Sequence, residues 1–115
     1  MAKFMFLHRG DCDAKPDMTP EQMQEGMKAW MEWMQDGKDE GWLLDPGNGL
    51  GGSGAVVQPD LTVQDGPFVE SKELVGGYSI VEAPNLADAC ELAKRTMKIA
   101  GNGKIEVREI INPGA

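Results

Sequence analysis

Groups able to do chemistry fall at two places in this chain. The run VQDGPFVESKELVGGYSIVEAP, Val63 to Pro84, brings Asp65, Glu70, Lys72 and Glu73 close together ahead of an apolar strand. Carboxylates beside an ammonium can take up, deliver and guide a proton, which makes Asp65, Glu70 and Lys72 the catalytic candidates. A solvated hairpin tip fits the same residues, because Asp65-Gly66-Pro67 is good turn chemistry. Gly76 and Gly77 give up side-chain packing inside a strand, a sign that another backbone or a ligand approaches closely. The second place is His8, the sole histidine, at the end of an apolar strand and close in sequence to Asp11 and Asp13. A His-Asp-Asp metal cluster is one reading, but no Glu-x-x-His or His-x-x-x-His spacing supports it, so no metal site is assigned. A satisfied structural histidine, or one lining a cleft, is the other reading. Phe68, Trp30 and Tyr78 have the composition of an apolar small-molecule pocket, although core packing accounts for Trp30 equally well. The ligand-binding candidates are therefore His8, Asp11, Trp30, Phe68, Gly77 and Tyr78.

No cofactor is expected. Gly47, Gly49 and Gly52 form a G-x-G-x-x-G match, but a dinucleotide fingerprint must open a helix, and Ala55-Val56-Val57-Gln58-Pro59 reads as strand. Gly47 to Gly54 reads instead as a glycine-rich hairpin or mobile flap. A net charge of −8 with scattered basic residues leaves no footprint for a nucleic-acid backbone. The apolar start, Met1 to Leu7, is too short to span a membrane and meets charge at Arg9, so the expected setting is the cytoplasm. Cys12 and Cys90 have no zinc-type spacing and suit a reducing compartment. Asp11 and Asp13 disfavour a thiolate at Cys12, whereas Cys90 falls on a predicted apolar stripe.

The elements that position these residues follow from periodicity. Lys3 to His8 alternates, with Phe4 and Phe6 on one face and Met5 and Leu7 on the other. Thr19-Pro20-Glu21-Gln22 is a helix start with a capping box, and Met23, Met27, Trp30 and Met34 recur at helical spacing up to about Glu40. Gly26 within this helix suggests a second backbone packed closely there. Short strands follow at Trp42 to Leu44 and Leu61 to Gln64, then a longer one at Leu74 to Glu82. Asn85 caps a second helix with a stripe of Leu86, Ala89, Cys90, Ala93 and Met97, ended by Gly101. Lys104 to Ile111 is the last strand, with Ile105 and Val107 on one face and Lys104, Glu106 and Arg108 on the other.

This order predicts one domain, residues 1–115, with a ferredoxin-like βαββαβ fold: an antiparallel sheet carrying two helices on one face. The strands around Phe4 and Tyr78 belong at the centre and the last strand at an edge. Two helices leave the other face bare, and a large apolar patch is uncommon on a soluble monomer. A second copy around a two-fold axis is the natural cover, and eight methionines suit such an adaptable surface.

Val63 to Tyr78, with Asp65-Gly66-Pro67-Phe68 leading to Gly76-Gly77, resembles the signature of the YCII-related (DGPF) family of small bacterial proteins. MTPEQMQEGMKAWMEWM is similar to the family's first helix, VEAPNLADACELAK to its strand entering the second, and GKIEVREI to its last strand. The resemblance implies a dimeric α+β barrel. It also implies that a histidine borne by the first helix in some relatives falls at Trp30 here, with Asp11 at the place of its aspartate partner. Without an imidazole at that position, acid–base catalysis by such a dyad does not carry over.

Two functions remain open from sequence. One is a binder of a small organic molecule, extending to a cofactor-independent lyase or isomerase in which Asp65, Glu70 or Lys72 moves a proton. The other is a non-catalytic dimeric module serving a partner protein in regulation or stress response.

Overall fold

The computed structural model describes residues 1–10, 19–66 and 74–111. Asp11, Cys12, Phe68, Glu70 and Lys72 lie outside these residues. The chain forms β1 (Ala2–Arg9), α1 (Pro20–Glu40), β2 (Leu43–Asp45), β3 (Gly54–Val57), β4 (Val63–Gly66), β5 (Val75–Ala83), α2 (Leu86–Ala100) and β6 (Lys104–Glu109). The main sheet runs β2-β5-β1-β6 with every neighbour antiparallel, and β3 and β4 form a separate two-stranded sheet. This is the ferredoxin-like α+β arrangement with a hairpin inserted before β5, and β1 and β5 are central as their two-sided apolar pattern predicts.

Both helices begin and end where local chemistry dictates. Thr19 Oγ1 accepts from Gln22 N at 3.1 Å while the Gln22 side chain accepts from Thr19 N at 3.0 Å, so the capping box is closed in both directions. Asn85 Oδ1 accepts from Asp88 N at 2.9 Å. Gly41 and Gly101 end the helices in the left-handed region, with φ 84° and 76°.

The core lies between the sheet and the helices: Phe4, Phe6, Val81 and Ala83 pack under Trp33, Trp42, Ala89 and Ala93. The two helices are joined by a buried hydrogen bond, Trp33 Nε1 donating to Thr96 Oγ1 at 2.9 Å. This corrects the apolar stripes expected from sequence. In α1 the buried seam is Trp33 and Gly37, while Met23, Met27, Met31 and Met34 face outward. In α2 it is Ala89, Ala93 and Thr96, with Leu86 exposed and Cys90 half-buried. The close helix contact is at Gly37 rather than Gly26. A Cβ at Gly37 would stand 2.7 Å from Leu43 Cβ, whereas one at Gly26 would meet nothing within 4 Å.

Candidate functional site

Alternation along β1 and β5 decides which side chains can share a site. His8 pairs with Gly77 and Phe6 with Ser79, so His8, Gly77 and Ser79 lie on the helix-covered face. Tyr78 pairs with Leu7 on the opposite face, which separates it from Trp30. The His8 ring meets Trp30 edge to face at 6.3 Å between centroids and begins an aromatic series continuing to Trp33 at 5.4 Å and Trp42 at 5.8 Å.

Ser79 is buried, and its hydroxyl donates to Pro46 O at 3.0 Å. A hydroxyl has one proton to give. The contact of His8 Nε2 with Ser79 Oγ at 3.5 Å therefore falls on the hydroxyl's lone pairs. This assigns the proton of the neutral imidazole to Nε2 and leaves Nδ1 as an acceptor. Burial lowers the His8 pKa from its ordinary 6.5, which favours that neutral form. The arrangement is a half-buried imidazole, its neutral form favoured, beside the Trp30 indole, able to accept a proton or a hydrogen bond from a bound molecule.

The glycine pair has a structural cause. The segment after β2 runs beside β5: Leu50 N donates to Gly76 O at 2.8 Å, Tyr78 N to Asn48 O at 3.2 Å, and Gly49 bridges to Gly77. A Cβ on Gly77 would lie 3.2 Å from Asn48 O. Another backbone thus fills the space that the sequence left open between backbone and ligand. The expectation of a glycine-rich hairpin or flap over 47–54 is corrected accordingly, since residues 48–50 extend the edge of the sheet and the hairpin begins only at Gly54. Gly47 itself adopts φ 71° beside Tyr78 O, a place no other residue type fits.

The structure brings together His8, Trp30 and Gly77 from the candidates, and adds Ser79 and Pro46, which sequence reasoning passed over. The signal for Ser79 was a polar residue on a buried-face position between Gly77 and Val81, which requires a hydrogen-bond partner. Asp65 is exposed on β4 opposite Ala55. Asp11, Phe68, Glu70 and Lys72 fall outside the described residues. Among the described residues no group of histidine, cysteine, aspartate and glutamate could hold a metal ion. No helix among them is long and apolar enough to cross a membrane.

The family model of the YCII-related domain matches residues 2–112. The chain belongs to the YCII-related domain family. The match spans β1 through β6 and includes His8, Trp30, Gly77 and Ser79. No curated protein matches the chain. Within this YCII-related chain, assignment of chemistry therefore rests on its own residues.

Proposed function

We propose that this YCII-related chain is a homodimeric cytoplasmic protein that binds a small organic molecule at His8, with Trp30 and the Gly77 backbone beside it. The observation that carries this reading is His8 itself, oriented by Ser79 with Nδ1 left to accept. The fitting ligand offers a weakly acidic hydroxyl to Nδ1 and an apolar or aromatic body to the Trp30 ring. Phenols and hydroxy acids have that form. If turnover accompanies binding, it is cofactor-independent proton transfer of the lyase or isomerase kind, begun by removal of that proton by His8. Glu70 and Lys72 are candidates for the complementary acid, and Asp65 has less support because of its exposed place on β4.

A thermal-shift screen of phenols and small organic acids should find a compound that stabilises the wild-type chain. His8→Gln, which keeps a side chain of similar size, should abolish the shift, while Asp65→Asn should preserve it. A library without a hit, or a hit indifferent to His8→Gln, would count decisively against this site.

A further inference from the structure

Helix α1 builds its exposed apolar surface from a single residue type. Met23, Met27, Met31 and Met34 follow one another at intervals of four, four and three residues, so they share one arc of the helix. They are 50%, 66%, 63% and 37% exposed. The helix contains no leucine, isoleucine, valine or phenylalanine, although leucine forms helix as readily as methionine. Core packing does not account for the choice, because the buried seam of α1 is Trp33 and Gly37. What distinguishes methionine from leucine on a solvated arc is its sulfur, which is polarisable and takes up oxygen.

The surroundings of the row also suit an oxidised sulfur. A shallow depression along α1 is lined by Met27 and Met31 together with Gln24, Lys28, Glu32 and Gln35. A sulfoxide turns the apolar side chain into a polar one, and its oxygen accepts hydrogen bonds. The Gln24 amide and the Lys28 ammonium in the same depression have protons to donate. Met5 on β1 and Met97 on α2 are half-buried and lie outside this row.

We propose that the outer face of α1 is a methionine-oxidation site, at which a hydroperoxide converts an apolar surface into a polar one while the fold stands. With hydrogen peroxide, a sulfur lone pair of Met27 or Met31 attacks one peroxide oxygen, and the S–O bond forms as the O–O bond breaks. The proton on the transferred oxygen passes to the departing hydroxide, which leaves as water. The thioether gives up one electron pair and the peroxide takes it, so the step balances without a further reagent. Met27 and Met31 react first, as the most exposed members of the row. Each oxygen arrives on a side chain outside the seam, so the surface changes and the packing of Trp33 and Gly37 does not.

Hydrogen peroxide treatment of the full chain, followed by peptide mapping with mass spectrometry, tests this. Met1, 86% exposed, serves as the internal standard for an open thioether. Met27 and Met31 should oxidise at a rate close to that of Met1 and about fivefold or more faster than Met5 and Met97. Once both are oxidised, circular dichroism should be unchanged and retention on a hydrophobic column should fall. Met27→Leu/Met31→Leu, which keeps the arc apolar, should fold alike and lose most of that fall. Met27 and Met31 reacting no faster than Met5 and Met97 would show the row to be covered, and would overturn the site. Loss of the circular dichroism signal on their oxidation, or an undiminished fall in retention in the double variant, would overturn the change of surface.

Discussion

His8 is the only imidazole in the chain, and burial favours its neutral form while Ser79 favours a proton on Nε2. Its face was legible from alternation with Phe4 and Phe6. Its partner was not, because Ser79 reaches Pro46 and His8 only through strand pairing between distant parts of the sequence. Burial holds the folded pKa below 6.5, so between the two values the unfolded chain binds more protons than the folded one. Stability is then fully present above the unfolded pKa and is lost as pH falls through about 6.5 toward the folded value. Glu106, held low chiefly by its hydrogen bond from Arg108, and Asp60, held low by Thr62, contribute losses only as pH falls through the ordinary carboxylate range. Urea midpoints should therefore fall between pH 7.5 and 5.5 in the wild type. They should stay flatter in His8→Gln, and equal slopes in the two would show that His8 gains no penalty on folding.

At the scale of elements, the ends of both helices were legible because caps are local: Thr19 with Gln22, and Asn85 with Asp88, lie within one turn. The buried faces were not. Helix α1 carries two seams, one of methionines and one of Trp33 and Gly37, and hydropathy ranks the first while packing selects the second. Gly37 decides the outcome, since it lets Trp42 and Leu43 approach the helix backbone, and Thr96 follows because it accepts the Trp33 indole proton. The two glycines of α1 should accordingly respond in opposite directions to the same substitution. Gly26→Ala, in open space, should stabilise the protein by about 1 kcal/mol through helix propensity. Gly37→Ala should destabilise it by about 1–3 kcal/mol, because overpacking forces Leu43 and Trp42 to move. Chemical denaturation of the two variants measures both signs, and a stabilised Gly37→Ala would mean that α1 docks by another face.

At the scale of the whole molecule, the order β2-β5-β1-β6 was legible because strands apolar on both faces belong at the centre and a strand alternating with charge belongs at an edge. The expectation that methionines cover the open face was not met: Met5 lies there, whereas Met23, Met27, Met31 and Met34 line the outside of α1. Among the described residues, the face opposite the helices owes its apolar character to Met5, Leu7, Tyr78 and Ile80, and the homodimer proposed above would cover it. If a second copy provides that cover, folding and association are linked, and each tenfold rise in protomer concentration adds about 1.4 kcal/mol to the apparent stability of the dimer. The thermal midpoint should then climb by a few degrees per tenfold in concentration. Ile80→Glu places a carboxylate in the middle of that face, where a two-fold axis would confront it with its own copy, and should abolish that dependence while leaving the dilute protein folded. A wild-type midpoint independent of concentration from the low micromolar range upward would instead assign that face to a different partner.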